Sequence, residues 1–359
     1  MALTRRDLLT RLGFGLSFLP AIVAAPRSMV GALLFEPDGE LVPAKAVPPN
    51  PFTSSGKSLV AIVHGQDPAA MLREGLELLG GLQHLDCRDK RVLIKPNLVN
   101  DRPPPTTTSP ELVAAVVRVV REAGAADVAV ADSSGIIRFP TAGNFAATGL
   151  RTAVESAGAR VLALEEQPWV RVEPPRATVL PRFYVSKPVY EADLFINVPV
   201  IKTHRFAHYS CSLKNLVGIT HPRYRPSVTF LAGNWHERIA ELNLAVHPHL
   251  TIADGMTIMI AGGPTTGTPA RAELLVLSGD RVALDAVAVA VIRSFGAWPK
   301  LAGGTVWEQR QIKRAIELGL GAAGPERIEI RARALGGPDA GLDRLIDTIR
   351  RDLQITEQP

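Results

Sequence analysis

Residues 193–218 read D-L-F-I-N-V-P-V-I-K-T-H-R-F-A-H-Y-S-C-S-L-K-N-L-V-G, and they decide the fold prediction. The run from Leu194 to Ile201 is largely apolar and lacks an alternation of polar residues, which is typical of a strand buried on both faces of a parallel sheet. This run leads directly into Lys202, Thr203 and His204. Because open α/β sheets bind ligands beyond the carboxyl ends of their strands, the stretch predicts where a site lies.

Strands and helices alternate along the rest of the chain. Further strands are predicted at residues 58–64, 91–98, 127–132, 160–164, 250–254, 273–277 and 327–330, with a hairpin or loop at 178–189. Helices are predicted at residues 68–79, 109–122, 141–156, 235–246, 280–295, 307–318 and 342–353. This order predicts an α/β fold with a doubly wound, mostly parallel sheet and helices on both faces.

Composition excludes several classes of protein. The 359 residues are 46% hydrophobic and 21% charged, which indicates a globular chain rather than a disordered one. The net charge is +5, and residues 1–25 hold three arginines and one aspartate, so about +3 remains without them. That balance is too small to predict a nucleic-acid partner. An aromatic content of 5% also disfavours a stacking platform for single-stranded nucleic acid.

The cysteines limit the metal chemistry. Cys87 and Cys211 are the two cysteines of the chain, and no C-x-x-C motif occurs, so an intrinsic four-cysteine iron–sulfur cluster is not expected. In an oxidising compartment, a disulfide between these two cysteines is possible. The sequence also lacks the G-x-S-x-G, H-E-x-x-H and G-x-G-x-x-G motifs, so hydrolase, zincin and dinucleotide-binding functions have no motif support.

The N-terminus resembles an export signal. Arg5 and Arg6 precede an uncharged apolar segment at residues 12–25, which predicts a twin-arginine signal peptide over residues 1–25. The predicted partner is the twin-arginine translocation machinery, which carries folded proteins, and the predicted location is the periplasm. An uncleaved signal that anchors the protein to the membrane is the alternative. Residues 26–56 are predicted to be a Pro-rich linker, 57–335 the α/β domain, and 336–359 a C-terminal helix and tail.

Polar side chains follow four of the predicted strands and form the candidate site. They are Lys95 and Asn97, Asp132 and Ser133, Lys202 and His204, and Asp254, with Lys214 and Asn215 ten residues beyond His204. If these strands share one sheet, their carboxyl ends converge. Taken singly, several of these groups also suit a structural role, such as a turn after Asp132 or Asp254.

Two chemistries are open for this constellation. Lysines and helix N-termini bind a carboxylate or phosphate, whereas Asp132 and Asp254 with an imidazole would bind a divalent metal. His204 is the candidate acid–base group because imidazole changes charge near neutral pH, and Lys202 lies beside it. The predicted ligand-binding residues are Lys95, Asn97, Ser133, Lys214 and Asn215.

Several motifs, taken together and in order, resemble the family called domain of unknown function 362. They include V-L-I-K-P-N-L at 92–98, A-D-S-S-G at 131–135, N-V-P-V-I-K-T-H at 197–204, S-L-K-N-L-V-G at 212–218 and G-D-R-V-A-L-D-A-V-A at 279–288. The resemblance covers roughly residues 57–335. It implies a site that contains Lys95, Asn97, Asp132, Lys202, His204, Lys214, Asn215, Asp254 and Asp285, but it implies no reaction.

The sequence therefore predicts an exported protein with a polar cleft that binds an anionic small molecule, with His204 as acid or base and a divalent metal as an open alternative. Some members of the family that this sequence resembles carry ferredoxin-like segments or cysteine clusters, which this chain lacks. The competing prediction is a non-catalytic periplasmic accessory, associated with a cofactor or an iron–sulfur protein, or an electron-transfer protein. Whether the protein is an enzyme stays undecided at this stage.

Overall fold

A computed structural model describes residues 36–228, 233–296 and 298–355. The predicted twin-arginine signal at residues 1–25 lies outside the described residues, as does the beginning of the predicted linker. In these three ranges no helix combines the length and the apolar character that crossing a membrane requires.

The bounds of the elements follow in chain order for the described ranges. The strands are β1 Leu41–Val42, β2 Thr53–Ser54, β3 Lys57–His64, β4 Arg91–Pro96, β5 Asp127–Asp132, β6 Arg160–Ala163, β7 Trp169–Val172, β8 Phe183–Ser186, β9 Leu194–Val198, β10 Val200–His204, β11 His208–Ser210, β12 Leu250–Gly262, β13 Gly267–Ser278 and β14 Ile328–Ala334. The helices are α1 Pro68–Leu78, α2 Pro110–Glu122, α3 Thr141–Ala147, α4 Leu150–Ser156, α5 Lys187–Glu191, α6 Ser212–Asn215, α7 Trp235–Leu242, α8 Arg281–Phe295, α9 Arg310–Glu317 and α10 Ala340–Leu353.

The central sheet has the strand order β14-β3-β13-β12-β9-β4-β5-β6. Neighbouring strands along it are parallel, for example at Ile94 opposite Ile196 and Val130, except where β13 pairs antiparallel with β3 and β12. The predicted α/β fold with a mostly parallel sheet is therefore confirmed. The two antiparallel pairings show that the sheet is mixed.

The antiparallel part arises from a long hairpin that the sequence does not predict. β12 was expected to end at Asp254, but it continues to Gly262 and turns back through β13, with Thr257 opposite Arg271. Gly262 and Gly263 both have positive φ values at the turn, a conformation that costs glycine little. Asp254 consequently lies within a strand and not at a strand end.

The stretch at residues 193–218 forms two consecutive strands rather than one. β9 ends at Val198 and β10 begins at Val200, because Pro199 has no N–H with which to continue the ladder. Both strands run parallel to β12, with Asn197 opposite Thr251 and Val200 opposite Asp254. The chain then reverses through β11 and enters α6, which brings Lys214 back toward the end of β10.

Helices cover both faces of the sheet, as predicted. Along β3, Val60 and Ile62 belong to the buried cluster that includes α8, α9 and α10, while Leu59, Ala61 and Val63 belong to the cluster that includes α1 and α2. This alternation follows from the two-residue period of a strand. Cys211 lies in the first cluster and Cys87 in the second, and both are buried free thiols.

The described part of the predicted linker packs along the domain. β1 pairs with β7 in a small sheet of order β1-β7-β8, and β2 pairs with the start of β3. Phe52 is fully buried and contributes to the core. At the other end of the chain, Ile349 and Leu353 of α10 are fully buried, so the C-terminal helix is part of the same core.

Glu241 on α7 is a fully buried carboxylate that connects three parts of the fold. It accepts hydrogen bonds from the backbone N–H groups of Thr178, Val179 and Leu180, at 2.8–3.0 Å, and it forms an ion pair with Arg314 of α9 at 2.8 Å. Burial by itself raises the pKa of Glu241, but these donors lower it overall. The carboxylate therefore replaces water as the acceptor for a loop that has left solvent.

We predict that Glu241→Gln lowers the free energy of unfolding by about 3 kcal/mol, because an amide cannot accept from all of these donors and leaves Arg314 without its buried partner. Glu317→Gln is the matched control, since Glu317 pairs with the same arginine at 3.0 Å but is 48% exposed. The control should change stability by less than about 1 kcal/mol. Urea unfolding measures both, and equal effects would contradict the role given to Glu241.

Candidate anion-binding site

A cavity of about 450 Å³ opens beyond the carboxyl ends of β4, β5 and β10. Of the nine predicted site residues, it is lined by Lys95, Asn97, Asp132, Ser133, Lys202, His204, Lys214 and Asn215. These residues come from three strand ends and from α6, which explains why they are far apart in the sequence. The structure thus brings eight of the nine together, and Asp254 is the exception.

Lys95 and Asp132 form a buried ion pair at the base of the cavity, with 2.8 Å between Nζ and Oδ1. The backbone N–H groups of Ser133 and Leu98 donate to the two carboxylate oxygens at 2.7 and 2.8 Å, and Lys95 also donates to the carbonyl of Pro96. Burial raises the pKa of Asp132 and lowers that of Lys95, and the attraction between the two opposes both shifts. Both oxygens of Asp132 are therefore already engaged.

Lys202 is buried against neutral acceptors. Its ammonium donates to Asn97 Oδ1 and to the carbonyl of Thr106, the latter at 2.7 Å. Asn97 in turn donates to Asn215 Oδ1 at 3.0 Å, so a hydrogen-bonded chain connects Lys202 to the Lys95 side of the cavity. Burial, then the neighbouring Lys214, lowers the pKa of Lys202 well below its ordinary value.

Lys214 differs from the other two lysines. Its ammonium has no acceptor among the described residues, and it lines the cavity from α6. Burial, followed by the charges of Lys95 and Arg225, lowers the pKa of Lys214 to about 8. Asp132 is the one carboxylate on the described part of the cavity wall, and Lys95 already uses it.

His204 is held as a neutral ring. Its Nδ1 accepts from the backbone N–H groups of Phe206 and Ala207 at 3.2 and 3.1 Å, so the proton of the neutral imidazole is on Nε2. Burial, then Lys214 and Lys202, lowers the pKa of His204 well below its ordinary value. This environment makes the ring a hydrogen-bond donor toward the cavity, and the acid–base role of His204 stays a prediction.

Asp254 and Asp285 lie outside the cavity and hold helix beginnings. Asp254 accepts from Ser109 N, at the start of α2, at 2.8 Å, and burial raises its pKa to about 6. Asp285 accepts from Ser212 N and Leu213 N, at the start of α6, and burial raises its pKa to about 7. Asp285 therefore supports the cavity through the helix that carries Lys214.

The proposed metal ligands do not meet. Asp254 is separated from the cavity because β12 continues past it, and its second oxygen accepts from Met256 N at 3.1 Å. Within residues 36–228, 233–296 and 298–355, no three His, Cys, Asp or Glu side chains are grouped so that they could hold a metal ion. The described residues therefore do not supply the grouped ligands that the predicted metal site requires.

Two residues of the site were missed from the sequence. Arg225 is buried beside the cavity and donates to Ser134 O at 2.6 Å, to Ser133 Oγ at 2.7 Å and to Thr220 O at 3.0 Å. It follows no strand, so the strand-end pattern gives no signal for it. Gly218 lies directly over the ion pair: a Cβ there would overlap Asp132 Oδ1 and come within 2.9 Å of Lys95 Nζ.

Residues 92–290 match the family model described as "Domain of unknown function (DUF362)". The match spans more than half of the chain. The chain belongs to the DUF362 family. All the cavity residues described above, from Lys95 to Arg225, lie within the range that matches this family.

Two further comparisons place this DUF362 chain among known proteins. It is 31% identical over 236 residues to the thylakoid-associated protein sll1697 of Synechocystis sp. (strain ATCC 27184 / PCC 6803 / Kazusa), which spans 62% of this chain and 70% of that protein. The lactate racemase apoprotein from Thermoanaerobacterium thermosaccharolyticum aligns with a TM-score of 0.42 and 10% identity, covering 84% of this chain and 87% of that one. A likeness at that level does not indicate a shared function.

We predict that Gly218→Ala lowers the free energy of unfolding by about 2 kcal/mol, because the new methyl group must displace the Asp132 carboxylate from Lys95. Gly143→Ala is the matched control, since a Cβ at residue 143 of α3 meets no atom within 4 Å. That control should leave stability unchanged or raise it by up to about 1 kcal/mol. If chemical denaturation shows the two variants to be equally stable, the close packing of residue 218 over the ion pair is refuted.

Proposed function

We propose that the cavity binds a small anionic molecule and that Lys214 is the cation that pairs with it. The observation that carries this proposal is the absence of any acceptor for Lys214 among the described residues, in a cavity whose one described carboxylate is bound to Lys95. A cation that is partly withdrawn from water and has no counter-charge beside it is costly, so an anion that enters the cavity gains electrostatic stabilisation. The nearby charge of Arg225 adds to the attraction.

His204 supplies the second contact in this proposal. Because Nδ1 is fixed by two backbone donors, the Nε2–H group is the part of the ring that is left for a ligand. A neutral imidazole that donates to an oxygen, beside a lysine whose pKa is near the working pH, suits proton transfer on the bound molecule. The proposed reaction class is therefore proton transfer, with Lys214 as a second acid–base candidate beside His204.

The competing proposal is a carrier or accessory protein that binds the anion and does not transform it. Solvent-deuterium exchange into bound carboxylic acids, followed by NMR, separates the two proposals. Lys214→Arg keeps the positive charge but holds its proton, so it should bind and not exchange. Exchange that survives in this variant would exclude Lys214 as the base, and absence of exchange in the parent protein across a panel of bound acids would favour the carrier.

Lys214 predicts the pH dependence of binding. Sulfate is a suitable probe because its charge does not change between pH 6 and 10. The folded pKa is about 8, below the ordinary value of 10.5, so the ammonium is present below pH 8 and is lost as the pH rises through this value. The association constant for sulfate should fall about tenfold between pH 7 and pH 9.

Isothermal titration calorimetry measures this profile. Lys214→Met should weaken sulfate binding at pH 7 and have little effect at pH 10, where Lys214 is already neutral in the parent protein, whereas Lys214→Arg should bind sulfate with a flat profile up to pH 10. If the fall above pH 8 persists in the arginine variant, another group is responsible and Lys214 is not the ion partner.

The donor role of His204 predicts a difference between two amide variants. In His204→Asn the side-chain oxygen can still accept from the backbone N–H groups of Phe206 and Ala207, as Nδ1 does in the parent protein. The Nε2–H donor of the ring is lost. Sulfate affinity should fall roughly tenfold or more, which is the contribution of a hydrogen bond to a charged group. His204→Gln, whose amide reaches the position of Nε2, should retain more of the affinity. Equal sulfate affinity in His204→Asn and the parent protein would remove His204 from the binding site.

We also propose export by the twin-arginine route, which rests on Arg5 and Arg6 of the sequence. Changing both to lysine should retain the protein in the cytoplasm when the native host is fractionated, and unchanged export would refute the proposal.

Metal analysis and the absorbance spectrum of protein from the native host test the predicted divalent metal and the predicted iron–sulfur association. Stoichiometric metal that Asp132→Asn removes would favour the metal prediction.

A further inference from the structure

The mouth of the cavity is chemically unlike its base. The base consists of buried ionic and polar groups, among them Lys95, Asp132 and Lys202. The mouth carries Ile137 and Phe206, which are 58% and 44% exposed. In the described ranges, four large apolar side chains are this exposed, and two of the four line this one cavity. Exposed apolar side chains that are grouped at a cavity indicate a binding surface.

An aromatic wall connects the mouth to the base. The rings of Phe206 and Trp235 lie 5.4 Å apart between centroids, and those of Trp235 and His204 lie 6.0 Å apart. His204 is the group that offers Nε2–H to the cavity, so the wall begins at a polar contact and ends at an exposed aromatic ring. Ile136 and Ile137, in the short turn that follows Gly135, add aliphatic surface to the same opening.

We infer that the ligand is an amphipathic anion: a carboxylate or phosphate group bound at Lys214 and His204, attached to an apolar body that contacts Ile137, Phe206 and Trp235. This inference rests on the proposed function, because it assumes that the charged end binds at Lys214. It adds the chemical class of the remainder of the molecule. An inorganic anion would leave most of a cavity of about 450 Å³ unfilled, and that volume lies within the range of sites for small organic ligands.

Charge at the rim agrees with this orientation. Arg138 and Arg205 are exposed beside the mouth and line the same cavity. Exposed cations at an entrance raise the rate at which an anion arrives. Because water and salt screen their charges, they bind the anion more weakly than the cations inside the cavity do. The anionic end is thus drawn inward to the buried cations, and the apolar end stays against the aromatic wall, where its removal from water is favourable.

The test compares ligand pairs that share a charged group and differ in an apolar body. Phosphate with phenyl phosphate, and acetate with phenylacetate, are titrated into the full protein by calorimetry. The aryl member of at least one pair should bind roughly tenfold more tightly. Phe206→Ala should reduce that advantage several-fold and leave the affinity for phosphate or acetate unchanged. Leu41→Ala, which removes an apolar side chain that is 57% exposed and does not line the cavity, is the matched control and should change neither.

The outcomes distinguish this inference from the proposed function. If the aryl and inorganic members bind equally, or if Phe206→Ala has no effect on the aryl advantage, the amphipathic class is refuted while anion binding stands. If no member binds and Lys214→Met behaves as the parent protein, the proposed function itself fails. Sedimentation with phosphatidylglycerol vesicles separates a lipid headgroup from a free ligand: vesicle binding that Phe206→Ala abolishes, without binding of either aryl anion, would also overturn the inference.

Discussion

The buried ion pair between Lys95 and Asp132 is the interaction on which the cavity depends. It joins the ends of the adjacent parallel strands β4 and β5, and Gly218 packs directly over it. Removing two charges from water costs several kcal/mol for each ion, and the pair offsets this cost through further hydrogen bonds from Leu98 N and Ser133 N. Because both oxygens of Asp132 are engaged in this way, and no other carboxylate lines the described part of the cavity, Lys214 has no acidic partner there.

The same device recurs at the other buried carboxylates of the fold. Asp254 accepts from the beginning of α2, Asp285 accepts from the beginning of α6, and Glu241 accepts from three consecutive N–H groups of the loop at residues 178–180. Each acid satisfies backbone donors that would otherwise be buried without a partner. As a result the helices have fixed positions relative to the sheet, and α6 holds Lys214 over the end of β10.

Local pattern was a good guide to the elements and a poor guide to their pairing. The apolar runs located the strands, and their carboxyl ends located six of the eight predicted residues that line the cavity, since these features depend on neighbouring residues in the chain; Lys214 and Asn215 reach it from α6. The glycines at 262 and 263 mark the turn between β12 and β13, but no local feature shows that β13 comes to lie beside β3. That hairpin is why Asp254 lies within a strand. Arg225 was missed because it reaches the cavity from a loop that follows no strand.

The sequence by itself determined the α/β class and the strand whose polar end faces the site. These properties follow from residue type and from the short-range period of burial. The tertiary structure alone decided which lysine has no acceptor among the described residues. It paired Lys95 with Asp132, gave Lys202 neutral acceptors and left Lys214 facing the cavity, because ion pairing and desolvation depend on distances of a few ångströms between residues far apart in the chain.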